Sequence, residues 1–197
     1  MDILEFFHKS SDTLLVSFGG HFEDRRLGGF VFVNFLQQRF PHVDQLFLMD
    51  THCSCYHKGV GGVSTNIDET VAFLQGKIHG YDRVLFIGNS GGGYAALLFG
   101  ALLHVHRVVA FVPPTLLMSP GFEDRYRDVV PFVEAATQTK FVVYGDCSIT
   151  DETHPHHIRH CNRLPQNVTV VRRQGIDLRK IRDSGELLEI VSDIICS

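Results

Sequence analysis

Ser90 sits in the run VLFIGNSGGGYAALLFG, residues 84 to 100, between a strand-like apolar stretch and a helix-like one. Two chemistries place glycines at such a bend. One cradles a phosphate on backbone N–H groups at a helix start, and the other holds a serine hydroxyl out as a nucleophile. The nucleophilic use requires G-x-S-x-G, supplied here by Gly88-Asn89-Ser90-Gly91-Gly92. A serine at so sharp a bend needs small residues two before and two after it, so that strand and helix can approach. The N–H of Gly91 would then lie at a helix N-terminus, where it can stabilise a developing oxyanion.

The phosphate reading is weaker. GGGYAA fits a loose G-x-G-x-x-A pattern, but the next strand-like run ends AFVPPT, without the acidic residue that would bind a ribose hydroxyl. No Lys-Ser or Lys-Thr pair follows the glycines, which argues against a P-loop. A second oxyanion donor is expected from a glycine-rich turn after an earlier strand, and VSFGGHFED supplies Gly19, Gly20 and His21 there. Gly20 and Gly91 are the expected pair of donors.

A serine nucleophile needs a base, and the base needs an acid to orient it. YGDCSITDETHPHHIRHC holds Asp146, Asp151, Glu152, His154, His156, His157 and His160. Asp151 and His154 stand three apart, a spacing similar to that with which SGNH hydrolases place both residues beside the serine. They are the expected acid and base. His157 is the next candidate base, one turn on if a helix starts at Pro155, and Asp146 is the alternative acid because it ends a strand directly. Another pairing from the same region remains open.

Two other uses of these residues compete. Four histidines in seven residues suit a solvated helix start with no function, or a metal site, as His-rich tracts bind zinc or nickel. THCSCYH adds His52, Cys53, Cys55 and His57, but neither group has the spacing of common structural zinc sites. Cys53 and Cys55 are expected to be small buried fillers, and no metal or cofactor is expected.

Six apolar runs must position these groups: 13 to 18, 45 to 50, 83 to 88, 107 to 112, 140 to 145 and 167 to 172. Their hydrophobicity is nearly continuous rather than alternating, which suits strands covered on both faces of a parallel sheet. Helical periodicity lies between them, in GGFVFVNFLQQRF and in NIDETVAFLQGKI, where Ile67, Val71, Leu74 and Ile78 share a face and Asn66 with Glu69 forms a capping pair. YAALLFGALLHV is apolar nearly all round and should be the most buried helix, while GELLEIVSDII closes the chain as an amphipathic one. Such alternation gives a three-layer α/β/α sandwich around a mainly parallel six-stranded sheet. The long irregular pieces 51 to 65, 113 to 123 and 146 to 156 all begin where a strand ends, the edge on which α/β proteins place their sites.

Composition narrows the partners. The chain has 197 residues, 44% of them hydrophobic, with a net charge of -4 and a pI near 6.3. This suits a single domain over 1-197 and argues against nucleic acid. MDILEFFHKSSDT has early acidic residues and no signal-like apolar run, and no segment approaches 18 uninterrupted apolar residues. A cytoplasmic protein without a membrane span is expected. Five scattered cysteines suit reduced thiols. Oligomeric state, monomer or dimer, is left open.

With its six runs and GNSGG bend, the chain resembles a compact α/β-hydrolase of the serine-esterase kind. More narrowly, YHKGVGGVSTNIDET with VLFIGNSGGGYAALLFGALLHVHRVVAFVPPT is similar to a group of small hydrolase-like proteins carrying S-x-G-G-Y-A-A. The resemblance implies cleavage of an ester or related acyl bond by Ser90, on a small-molecule or acylated substrate, in a fold without a cap domain. VPPTLLMSPGF offers an apolar wall through Leu116, Leu117, Met118 and Phe122. The chain departs from the family in one respect. The family's histidine follows the last strand, yet no histidine occurs after His160. Loss of activity, leaving a binding or scaffold protein, is therefore the rival expectation.

Overall fold

A computed structural model describes residues 2–7, 11–20 and 32–196. Its centre is a seven-stranded sheet. The strands are β1 (Ile3–Phe6), β2 (Thr13–Phe18), β3 (Asp44–Leu48), β4 (Arg83–Asn89), β5 (Arg107–Phe111), β6 (Lys140–Asp146) and β7 (Val168–Arg173). They lie in the order β1-β3-β2-β4-β5-β6-β7. All neighbours pair parallel except β1, which runs antiparallel to β3.

The sheet thus has one strand more than the six expected from the sequence. β1 was not legible because it is a half-covered edge, with Glu5 exposed and paired to Lys77 at 2.7 Å. Such a strand does not read as a continuous apolar run. β2 and β3 are buried along their whole length, as that pattern requires.

Helices cover both faces and complete the three layers. Leu36 of α1 (Val33–Arg39), Ile181 of α6 (Leu178–Asp183) and Val191 of α7 (Glu186–Cys196) pack on Leu15, Phe47, Ile87 and Val109. Opposite them, α2 (Ile67–Ile78), α3 (Gly91–Leu102), α4 (Val130–Ala135) and α5 (Arg159–Asn162) cover Val16, Phe86 and Val108. Residues 28 to 31 of the expected first helix lie outside the described residues. Asn66 caps α2 by accepting from the Glu69 amide at 2.8 Å, while Glu69 accepts from the Thr65 amide at 2.7 Å. α3 is buried from Gly91 through Ala101. No helix among the described residues is long and apolar enough to cross a membrane.

The chain passes from β2 to β3 on one side and then returns to β4 on the other. Parallel sheets carry their sites where the strand order reverses in this way, outside the carboxyl ends of the strands. Gly19 and Gly20 leave the end of β2, and Ser90 leaves the end of β4, so both flank that point.

Candidate active site

Ser90 joins β4 to α3 with φ 54° and ψ -123°. This is a costly conformation for a residue bearing a Cβ, of the kind that persists only where the surroundings impose it. Here the Ser90 amide donates to the Phe111 carbonyl at 2.9 Å, and the Tyr94 amide donates to the Ser90 carbonyl at 3.0 Å. The flanking glycines have a steric cause. A Cβ on Gly88 would fall 2.1 Å from the Gly92 carbonyl oxygen, and one on Gly92 would fall 2.2 Å from that of Phe18.

The Ser90 hydroxyl meets His156, with Oγ and Nε2 2.6 Å apart. This histidine comes from the expected cluster, but the two expected bases lie elsewhere. His154 Nδ1 accepts from the His156 amide at 3.1 Å, and His157 Nδ1 accepts from the Arg159 amide at 3.1 Å. Both rings are tied to backbone within their own loop. The helix proposed to start at Pro155 begins only at Arg159, so the turn geometry that favoured His157 is absent.

Asp151 is exposed, and its carboxylate accepts from the amide and hydroxyl of Thr153 at 2.9 and 2.7 Å. Those bonds hold its pKa down and define a turn. They do not direct an imidazole toward the serine. Asp146 stands differently. Buried at the end of β6, it accepts from the amide and hydroxyl of Ser148 at 2.8 and 2.6 Å, and from the amides of Gly175 and Ile176 at 3.0 and 2.8 Å. One carboxylate therefore fastens the loop after β6 to the loop after β7. A backbone bridge from Asp146 to His157 adds to this.

The electrostatics favour a neutral imidazole. Burial lowers the His156 pKa most, His154 lowers it further, and the negative charge of Asp146 acts in the opposite sense. No hydrogen bond joins Asp146 to His156 among the described residues, so Asp146 acts on the ring through its field. Its own pKa is raised by burial, the largest single influence, but its hydrogen bonds together outweigh this and hold it below the ordinary value.

His160 is structural. Its Nδ1 accepts from the Thr115 amide at 3.1 Å and its carbonyl accepts from the Thr115 hydroxyl at 2.9 Å. This docks the histidine loop onto the segment after β5. Burial first, then Arg159 and Arg163, pushes the His160 pKa down to about 4.

Of the two glycines expected as oxyanion donors, Gly91 opens α3. Gly20 is packed so closely that a Cβ there would lie 2.7 Å from the Asn89 carbonyl oxygen and 3.5 Å from Ser90 Cβ. His21 lies outside the described residues. The expected apolar wall divides: Leu117 enters the core, Phe122 packs on the His57 ring at 5.0 Å, Leu116 is half-buried, and Met118 is 73% exposed.

The second metal candidate does not assemble. His57 is buried with both ring nitrogens engaged, Nε2 with the Tyr94 hydroxyl at 2.8 Å and Nδ1 with the Glu123 amide at 2.9 Å. Among the described residues no three His, Cys, Asp or Glu side chains form a set that could hold a metal. Cys53 is exposed and Cys55 half-buried, so they are not the buried fillers expected; both occupy a turn with positive φ.

The fold is the α/β-hydrolase fold. Over 96% of this chain and 89% of the other, the structure is similar to the capsule O-acetyltransferase of Neisseria meningitidis serogroup A, with a TM-score of 0.66 at 12% identity. FphF, a fluorophosphonate-binding serine hydrolase of Staphylococcus aureus, matches 86% of this chain over 80% of its own, with a TM-score of 0.55 at 12% identity. An α/β serine hydrolase homologue from Coxiella burnetii matches 98% of this chain over 88% of its own, with a TM-score of 0.53 at 15% identity. No protein-family model matches the chain, and no curated protein matches it in sequence.

Proposed function

We propose that the protein is a serine hydrolase that cleaves an ester or related acyl bond through an acyl-enzyme on Ser90, with His156 as the general base. The observation that carries this reading is the 2.6 Å contact between Ser90 Oγ and His156 Nε2. Proton transfer requires that reach, and the lowered pKa of His156 leaves the ring neutral and able to accept.

In the first half-reaction Ser90 Oγ attacks the substrate carbonyl carbon while its proton passes to His156 Nε2. The oxyanion that forms is met by the N–H groups of Gly91 and Gly20. Collapse breaks the bond to the leaving alcohol, which takes the proton from His156. Water then attacks the acyl-enzyme, giving its proton to His156. The acid departs as that proton returns to Ser90 Oγ. Asp146 contributes negative charge that favours the transient imidazolium, and no step calls for a cofactor.

A scaffold protein would need small residues at the bend for packing, but not a strained serine paired with an imidazole. Incubation with an activated ester, stopped in acid and followed by mass spectrometry, tests the reading. An acyl adduct on the peptide containing Ser90 is expected. Turnover without any such adduct, or with the adduct elsewhere, would refute it.

A further inference from the structure

The segment after β3 is built around the buried carboxylate of Asp50. It accepts from the amides of His52, Ser54 and Tyr56 at 3.1, 2.6 and 3.1 Å. Winding the chain around it puts Cys53, Cys55 and Tyr56 at φ of 52°, 49° and 65°. Three left-handed residues with side chains in four positions are a costly arrangement, and such strain collects at functional sites.

The arrangement delivers Tyr56. Its ring is fully buried, edge-on to Phe18 at 5.6 Å and to Phe99 at 6.2 Å. Its single hydroxyl proton is shared between the carbonyls of Gly19 at 3.0 Å and Leu48 at 2.9 Å. The Gly19 amide also donates to the Leu48 carbonyl, at 2.8 Å. Gly19 is therefore held at both its amide and its carbonyl. In a planar trans peptide the C=O of one residue and the N–H of the next point in opposite directions. Fixing the Gly19 carbonyl on Tyr56 thus fixes the direction of the Gly20 N–H, on the residue that packs against Ser90 Cβ. Burial, ahead of the nearby Asp50 charge, holds the phenol protonated, so it remains a donor.

We propose that Tyr56 is a positioning residue for the acyl-transfer reaction: its hydroxyl locks the Gly19–Gly20 peptide so that the Gly20 N–H is already aimed at the oxyanion. This rests on the assignment of Ser90 as nucleophile and Gly20 as oxyanion donor. Preorganised donors contribute because they need no rearrangement as charge develops, and loss of one costs on the order of 100-fold in kcat. Misaiming a donor should cost part of that.

The test is Tyr56→Phe, which keeps the ring and its contacts. We expect kcat on a small activated ester to fall about tenfold or more with KM little changed. Binding of an alkyl boronic acid, whose tetrahedral adduct on serine mimics the oxyanion, should weaken by a similar factor. The pH at which the acid limb of kcat/KM falls should stay in place, since His156 is untouched. Asp50→Asn, which loosens the turn without altering the ring, should show the same signature and serves if Tyr56→Phe folds poorly. Full kcat in both variants, or a fall in kcat without weaker boronate binding, would overturn the role of Tyr56 while leaving Ser90 catalysis intact. Failure of the native protein to turn over any ester or bind the boronate would overturn both readings together.

Discussion

Ser90 Oγ and His156 Nε2 lie 2.6 Å apart although 66 residues separate them in the chain. The serine is fixed by a bend at the end of β4, and the histidine by a loop fastened at the end of β6 through Asp146. In the usual α/β-hydrolase arrangement the histidine follows the last strand. Here the loop after the last strand supplies the amides of Gly175 and Ile176 to Asp146 instead, and the imidazole comes from the preceding connection.

The narrowness of the bend should appear directly in stability. Gly88→Ala and Gly92→Ala each drive a Cβ to within about 2 Å of a backbone carbonyl oxygen, which cannot yield as a flexible side chain would. Each is expected to cost about 1–3 kcal/mol or more in urea unfolding and to abolish reactivity at Ser90. Unchanged unfolding midpoints would show that strand and helix are farther apart than described.

In the proposed mechanism His156 must be neutral to accept the serine proton. Burial, then His154, lowers its pKa, so the acid limb of kcat/KM is expected below the ordinary imidazole value of about 6.5. His154→Gln removes the neighbouring imidazole that opposes protonation of His156, and the limb is expected to move to higher pH. A limb that stays fixed or moves down would show that His154 does not act on the base.

Asp146 is expected to stabilise the fold only while ionised. Its folded pKa is depressed, so its contribution is present above the ordinary aspartate range near 4 and is lost as the pH falls below it. Asp146→Asn places an amide group against backbone N–H donors and should cost about 1–3 kcal/mol at neutral pH. The gap between native and variant should close below about pH 4. A gap independent of pH would mean that the charge is not what the four donors recognise.

A cap remote from the serine offers a control. Asn66→Ala removes the acceptor for the Glu69 amide and should lower stability by about 1 kcal/mol while leaving Ser90 reactivity unchanged.

Much of this was legible in the chain because burial leaves plain marks. Strands covered on both faces read as unbroken apolar runs, and the six found that way match β2 to β7 closely. Ser90, Gly88 and Gly92 were legible because the bend tolerates so few residue types. β1 was missed because a half-exposed edge leaves no such run. That His156 rather than His154 meets Ser90 was not legible, for a different reason. It depends on how Asp146, Thr153 and Thr115 fold the loop, and those hydrogen bonds have no fixed spacing in sequence. Tyr56 was also invisible, since its importance lies in a carbonyl it reaches 37 residues away.

Labelling by a fluorophosphonate probe tests the pairing of Ser90 with His156 most directly. The native protein should label at neutral pH, Ser90→Ala should not label, and His156→Gln should label far more slowly, while His154→Gln remains close to native. Labelling that survives Ser90→Ala, or that depends on His154 and is indifferent to His156, would contradict the assignment.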